Sequence, residues 1–584
     1  MNAFEALSQA LANQLAGQYP QAERFCRAVL AADPRQPDAW HLLGLVSHAT
    51  GRSDLGVEYL REALLLKPDF TDAHYNLGKV LQDSGQLDDA VCSYQRCLEL
   101  RPDFAEAHYN LGNAFNSLKN PQAAADSFRA AIRIRPSYLK ALNNLGKTLI
   151  DLDQHSEAAE VLQQAVQLKP NYASALCNLG GALRHLGRLD ESVAACQKAN
   201  TFEPGSCLAS LGAALLDQGK FADADAAFRE SISRKPENDE AYRNMAVVCL
   251  RQGNIAQAMQ WNERALDVMP DSPETHLLRS MLWLRQGDFD RGWPEYEWRW
   301  RCKEFSARAP RRPPWDGSPV PSGMLLLHAE QGFGDTLQFI RYAPLVKDRA
   351  QTVILRCSKK LIPLLSTCRG IDQFLPDDAP LPVFGAEVPL MSLPRALKTT
   401  LQTIPAAVPY LSADPALVER WRSQLPTRGF KIGIVWQGNP KYKDDQSRSF
   451  PLAQFAPLAK IENVQLISLQ KGYGVEQLAA VRDTYPVTEL PPDFDEVGGA
   501  FLDTAAIMKN LDLVISPDTA IAHLAGALGV PVWLATSYMP EWRWLLDRTD
   551  TPWYPTMRLF RQSKINHWPD VFERMAEELR VLAT

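Results

Sequence analysis

The sequence predicts a multidomain chain: an N-terminal all-α superhelix of repeated helical hairpins, then an α/β body of two halves built on parallel sheets. Three observations carry this. Pro34, Pro68, Pro102, Pro136, Pro170 and Pro204 fall on a strict 34-residue ruler. The ruler's influence stops near residue 306, where composition turns to Gly, Pro and β-branched runs. From Gly323 onward, short apolar runs alternate with helical patterns. A fixed period of this length marks a solenoid whose units bury their apolar faces only against neighbours.

Within residues 1–306, Leu-Gly pairs at 43–44, 77–78, 111–112, 145–146 and 179–180 keep phase with the prolines. Glycine or a polar turn follows near 51, 85, 119, 153 and 187. Small residues return at Gly56, Ala90, Ala124, Ala158 and Ser192. The spacing predicts two antiparallel helices per unit, with small residues at their close approach and proline closing the unit. After Pro204 the ruler slips by two, to Leu211-Gly212, Pro236 and Pro270, which locates a deletion in Pro204-Gly205-Ser206. Eight to nine units are expected. Asn76, Asn110, Asn144 and Asn178 lie 34 apart, and Asn244 keeps phase once the deletion is counted. An amide offers one donor and one acceptor face, matching a peptide backbone. The alternative is that asparagine is ordinary repeat composition.

The last unit, residues 287–301, gathers Trp293, Tyr296, Trp298 and Trp300 among arginines. Terminal repeats change character where a new neighbour meets them; the expected neighbour is the body, an aromatic sugar platform the alternative. Residues 307–322 form a Pro/Arg-rich linker, a stiff connector or a segment draped over the body. Its Arg308, Arg311 and Arg312 read as solvated, with a phosphate patch as the other reading.

In the body, strand candidates are Met324–Ala329, Thr352–Cys357, Lys431–Trp436, Val464–Leu469, Leu511–Ser516 and Val530–Ala535. A Pro-rich break near 405–430 divides it into Rossmann-like halves, 323–428 and 429–584, with a closing helix at 568–583. Ligands of such sheets bind beyond the carboxyl ends of the strands. Four motifs lie there. His328-Ala-Glu-Gln-Gly332-Phe-Gly334-Asp335 allows close backbone approach and places a candidate base at Asp335. Trp436-Gln-Gly438-Asn439, running on to Lys441, Lys443, Arg448 and Ser449, leaves a strand for a basic loop suited to a diphosphate. Gln470-Lys471-Gly472 ends another strand. Asp518-Thr519, with His523 one turn on, opens a helix whose free amides favour a phosphate; Asp518 as a plain N-cap and His523 as a core histidine is the competing reading. Asp493-Phe-Asp495 mimics a metal motif but reads as a solvated loop.

The net charge of −6 and pI near 6.0 give no basic field for nucleic acid. Ten scattered cysteines without a Cys-x-x-Cys pair read as reduced thiols, not disulfides or zinc ligands, in a cytoplasmic protein. Neither a signal peptide nor a transmembrane helix is expected.

The repeat pattern is similar to the tetratricopeptide repeat family. From Gly323 to about Arg561 the body resembles bacterial GT-B glycosyltransferases, especially the heptosyltransferase-like family found fused to such arrays. Gln331-Gly-Phe-Gly-Asp335, Trp436-Gln-Gly-Asn-Pro440, Arg448-Ser-Phe-Pro451, Asp518-Thr-Ala-Ile-Ala-His523-Leu, Trp542-Arg-Trp-Leu-Leu546, Trp553-Tyr-Pro555 and Arg558-Leu-Phe-Arg561 carry it. The resemblance implies metal-independent, usually inverting transfer of a sugar from a nucleotide sugar. Asp335 would deprotonate the acceptor. Gly332, Gly334, Trp436, Gly438, Asn439, Lys443, Arg448, Ser449, Gln470, Lys471, Asp518, Thr519 and His523 would hold the donor. The family commonly has glycine after its Asp-Thr pair, where this chain has Ala520. In the repeat arm of O-GlcNAc transferases a comparable asparagine ladder is implicated in holding acceptor polypeptide, which points to Asn76, Asn110, Asn144, Asn178 and Asn244. The expected acceptor is a polypeptide on the concave face, by analogy flagellin or another surface protein; the alternatives are a lipid-linked saccharide, or a scaffold with a non-catalytic body.

Overall fold

The computed structural model describes residues 2–442 and 445–583, in two compact units, 1–236 and 237–584. The first unit is seven helical hairpins, from Ala3–Leu15 with Tyr19–Ala32 to Leu208–Asp217 with Phe221–Arg234. The Leu-Gly positions explain their close packing. A Cβ at Gly78 would stand 2.7 Å from the Tyr94 ring, and one at Gly112 2.6 Å from Phe128. Each glycine thus lies under a large side chain sixteen positions on, in the partner helix. The turns use left-handed backbone, supplied by Gly51, Gly85 and Gly187 but also by Lys119 and Asp153, both at φ 60°.

The two-residue deletion shows as a first helix cut to ten residues in the seventh hairpin. The turn before it is held tightly: Arg234 reaches back to the Pro204 carbonyl at 3.2 Å, and Cys207 N–H donates to Asn200 Oδ1 at 3.0 Å. The same shortening brings Cys207 against the previous hairpin, where it forms a disulfide with Cys177, Cα atoms 5.5 Å apart. This corrects the expectation of reduced cysteines throughout; the remaining eight are not disulfide-bonded.

The second unit opens with two further hairpins, Asp239–Arg251 with Ile255–Val268 and Pro273–Arg285 with Phe289–Tyr296. The aromatic run after them meets the body, as expected of a terminal repeat: Trp293 is buried edge-on to Trp542, centroids 5.2 Å apart. The segment beyond is draped, not a free connector. Trp315 is buried and donates its backbone N–H to Glu387 O at 2.8 Å. Arg308 and Arg312 bond the carbonyls of Glu330 (2.7 Å) and Phe384 (3.1 Å), so neither is simply solvated.

The body holds two all-parallel sheets. The first, ordered β3-β2-β1-β4, comprises β1 (Val320–His328), β2 (Ala350–Cys357), β3 (Gln373–Pro376) and β4 (Ala386–Pro389). The second, ordered β6-β5-β7-β8-β9, comprises β5 (Phe430–Ile434), β6 (Val464–Ser468), β7 (Leu513–Ser516), β8 (Val532–Thr536) and β9 (Met557–Arg561). Every residue of β7 and β8 is buried, as continuous apolar strands covered on both faces should be. The closing helix Pro569–Leu582 seats Val571, Phe572, Met575 and Leu579 on the second sheet. Its strand order reverses between β5 and β7, so the loops leaving them diverge and open a crevice at their carboxyl ends.

Candidate ligand crevice at the carboxyl ends of the strands

Leaving β5, the chain runs into Trp436, Gln437 and Gly438. The Trp436 ring is fully buried in the core beneath the sheet, and its indole N–H donates to Gly474 O at 3.0 Å. Gln470 is a brace: its Oε1 accepts from the N–H groups of Trp436 and Gln437, both at 3.1 Å, and its amide donates to the carbonyls of Gln437 and Tyr473. These two side chains shape the crevice from behind. Gly438 is required by close approach, since a Cβ there would stand 2.2 Å from Asp445 Oδ1. Its N–H donates to Ser449 Oγ at 2.9 Å, and Ser449 in turn donates to Asp445 Oδ2 at 2.9 Å. Asp445 Oδ1 takes Arg448 Nε at 3.0 Å, and Arg448 Nη1 crosses to the Asp518 carbonyl at 2.7 Å. One guanidinium therefore ties the loop after β5 to the loop after β7. Asn439 folds its own loop, accepting Lys441 N–H at 3.0 Å. Lys443 lies outside the described residues. Lys471 is turned away from Arg448's network, onto the Phe494 carbonyl and Glu496 at 2.7 Å.

After β7, Ser516 and Thr519 hydroxyls meet at 3.0 Å and the helix Ala520–Ala527 begins. Thr519, not Asp518, is the N-cap residue, and it makes no side-chain cap bond. The amides of Ala520 and Ile521 thus keep their capacity for an anion, while that of Ala522 donates to Thr519 O at 3.1 Å. Asp518 accepts the Trp544 indole N–H at 2.9 Å, and burial lifts its carboxyl above the usual range. His523 is buried, with Nδ1 3.0 Å from Tyr554 Oη and its ring stacked on Trp544. Burial, together with Arg543, Arg341 and Arg448, pushes its pKa well down and keeps the imidazole neutral.

The loop after β1 reaches this same place. A Cβ on Gly334 would stand 3.0 Å from His523 Cδ2 and 3.5 Å from Ala520 Cα, so glycine lets the first half's loop touch the second half's helix start. Asp335 has both oxygens engaged. Oδ2 accepts the Gly332 N–H at 3.0 Å and Oδ1 is paired with Arg543. Arg543 is itself fixed by Glu541 at 2.6 Å and Gln338 at 2.5 Å, and burial raises the Glu541 carboxyl to about 6.

Asp445 and Glu541 stand in no motif named from the sequence, and Arg543, Trp544 and Tyr554 stand only in motifs that carry the family resemblance, with no role of their own. The legible signal was an arginine set between two tryptophans in an apolar stretch, residues 542–544. Asp495 needs a correction: it is not solvated but accepts the N–H groups of Asp503 (2.7 Å) and Thr504 (3.1 Å) at the start of helix Leu502–Met508. Among the described residues no cluster of His, Cys, Asp or Glu is placed to hold a metal ion.

In the first unit the asparagines form a ladder. Asn76 pairs with His41 Nε2 (2.8 Å), Asn110 donates to Tyr75 Oη (3.1 Å), Asn144 to Tyr109 Oη (3.3 Å) and Asn178 to Asn143 Oδ1 (3.0 Å). Each amide nitrogen is used between consecutive hairpins. The Oδ1 atoms of Asn76, Asn110 and Asn178 make no hydrogen bond among the described residues. Asn244, in the second unit, is half-buried and makes no side-chain hydrogen bond among them.

Tetratricopeptide repeat models match residues 7–73, 75–138 and 143–206, and another matches 215–282. Tetratricopeptide repeats therefore run across the N-terminal part of the chain. Protein FlbA of Caulobacter vibrioides is 27% identical over 401 residues, 64% of this chain and 67% of FlbA. Similar solved structures include MamA, 28% identical, covering 28% of this chain and 94% of MamA with a TM-score of 0.27. Another is YrrB, described as a TPR protein with an unusual peptide-binding site, 23% identical, covering 38% of this chain and 96% of YrrB with a TM-score of 0.26. No helix among the described residues is long and apolar enough to cross a membrane.

Proposed function

We propose that the chain is a GT-B glycosyltransferase that moves a sugar from a nucleotide donor to a polypeptide selected by the repeats. One observation carries this reading: the Gly332–Asp335 loop, Arg448 and the uncapped start of helix Ala520–Ala527 belong to one crevice at the strand-order switch. That combination suits a diphosphate beside a carboxylate. In the proposed reaction the bond from the sugar's anomeric carbon to the diphosphate breaks, its electron pair passing to phosphate oxygen. Arg448 and the amides at 520–521 stabilise that charge. The acceptor hydroxyl attacks from the opposite face and gives its proton to Asp335. An ionised carboxylate has about four lone-pair directions, so the bonds to Gly332 and Arg543 leave room for a substrate hydroxyl while fixing the group's orientation. Neutral His523 would receive the donor as a hydrogen-bonding wall, not as a charge.

The ladder supports polypeptide as acceptor. Its amide nitrogens are spent between hairpins, leaving carbonyl oxygens to accept the N–H groups of an extended chain. Flagellin or another surface protein is the acceptor proposed by analogy. The engagement of both Asp335 oxygens favours a second reading, a body that binds nucleotide without turning over.

Thermal unfolding with UDP, GDP, CMP, ADP and their sugar conjugates tests the donor site. A ligand at 100 times its Kd adds about 2.7 kcal/mol to the part that binds it. One nucleotide should stabilise the body, and Arg448→Ala should abolish the shift. No shift with any of them would reject the reading.

A further inference from the structure

The loop carrying Asp335 fixes itself only locally, through Gly332 N–H to Asp335 Oδ2 at 3.0 Å and Thr336 Oγ1 to Gly332 O at 3.2 Å. Two of its four residues are glycine, and its first turn is exposed at Gly332 and Phe333. What precedes the loop is held from the end of the last hairpin. Arg299 is fully buried, an unfavourable place for a guanidinium, and its Nε has no hydrogen-bond partner among the described residues, so the group is held through its two Nη atoms. Its Nη2 donates to Glu330 Oε1 at 3.0 Å and to Ser392 Oγ at 2.7 Å, while Nη1 donates to Glu297 at 2.8 Å and to the Tyr296 carbonyl at 3.1 Å. Its plane also covers the rings of Tyr296 and Trp300, at 4.5 and 4.0 Å. Glu330 stands two residues before Gly332. The residue between them, Gln331, donates its amide to Tyr296 Oη at 2.9 Å. Arg308, further along the same tail, takes the Glu330 carbonyl at 2.7 Å. Both residues leading into the loop are thus gripped from 296–308, while Arg543 holds its far end at Asp335.

We infer that Tyr296 and Arg299, which close the repeat array, are positioning residues for the Gly332–Asp335 loop. The last repeat is then part of the ligand site's framework as well as a spacer. A well-packed apolar contact would join repeat and body equally well, since replacing a buried ion pair with apolar groups is often neutral or stabilising. The directional pair instead fixes where the first glycine sits. This inference rests on the reading of that loop as part of the donor and acceptor crevice.

Hydrogen exchange of the full-length chain separates the possibilities. In Arg299→Gln the hydrogen-bonded amides of Gly332 (to Asp335 Oδ2) and Thr336 (to Gly332 O) should exchange about tenfold faster, equivalent to about 1.4 kcal/mol of local opening, while Leu513–Ser516 in β7 keeps its rate. Arg299→Gln combined with Glu330→Gln should restore part of the protection, because two amides pair where Glu330 would stand uncompensated, and Glu297 keeps Arg395 at 3.8 Å. Tyr296→Phe, which removes only a hydroxyl, should speed exchange at Gly332 by about three- to tenfold, the scale of one neutral hydrogen bond. The Tyr296→Phe result decides the matter should Arg299→Gln not fold. Equal acceleration in the loop and in β7, or an unchanged loop in a folded variant, would overturn the inference. The same samples, titrated with the nucleotide that stabilises the wild type, should show weaker binding in step with the faster exchange. A wild type that binds no nucleotide would instead sink the proposed function and leave the exchange result standing.

Discussion

Gly180 and Gly181 are neighbours in one helix and should respond in opposite directions to the same change. Alanine in a helix interior gains about 0.5–1 kcal/mol over glycine at either position. At Gly181 nothing lies within 4 Å of the added Cβ, so that gain should appear as stability. At Gly180 the Cβ would stand 2.4 Å from Cys196 Sγ and 3.3 Å from the Ser192 carbonyl. The Ser192 hydroxyl donates back to Gly180 O at 2.7 Å, so the backbone of the two helices cannot simply part. Overpacking of this kind costs about 1–3 kcal/mol, which exceeds the propensity gain. Gly181→Ala should therefore raise the array's melting temperature and Gly180→Ala lower it, each by about 2–4 °C per kcal/mol for a unit of this size. Circular dichroism at the helical band follows the array transition. The same sign for both variants would refute the argument that these glycines are set by inter-helix approach.

Further outcomes follow from single features. Lys119 and Asp153 hold left-handed backbone that costs an L-residue about 1–2 kcal/mol, so Lys119→Gly and Asp153→Gly should each stabilise the array in urea unfolding, by up to about 1 kcal/mol after glycine's entropy is counted. Unfolded without reductant, the chain should titrate eight thiols; losing the Cys177–Cys207 link, 30 residues apart, should cost the array up to about 3–4 kcal/mol by loop entropy. His328 is half-buried, and desolvation, then the nearby Arg356 and Arg299, takes its pKa down to about 4. The folded body thus refuses a proton that the unfolded chain accepts below about 6.5, and stability should fall as pH drops from there towards 4, by at most about 3 kcal/mol. His328→Gln should remove that part of the slope in melting curves across pH 4–8.

The sequence was most informative where information is periodic or local. The 34-residue ruler located hairpins and turns because successive units repeat a glycine packed under the side chain sixteen positions on: Leu60, Tyr94, Phe128, Leu162 and Cys196. Six strands were legible as continuous apolar runs. Gln373–Pro376 and Ala386–Pro389 escaped because they are four residues long and end in proline; Met557–Arg561, with two arginines, lies at a sheet edge. In the crevice, positions were legible but partners were not. Asp335 stood out as a carboxylate at a strand end, yet its partner Arg543 is 208 residues away. Gln470 and Trp436 sit on chemistry-bearing loops and face inward, because a loop that must hold its shape spends side chains on its own backbone. The disulfide had no motif, since it depends on where a shortened turn places Cys207.

The most direct test is transfer itself. Wild-type chain, Asp335→Asn and a ladder variant, Asn76→Ala/Asn110→Ala/Asn144→Ala, would be incubated with sugar-labelled forms of whichever nucleotide stabilises the body, in lysate of the source cells. The proposed function requires label in a protein fraction with wild type, loss of that label with Asp335→Asn, and a sharp decrease with the ladder variant while donor binding is kept. Label confined to lipid or small molecules, or unchanged with Asp335→Asn, would contradict it.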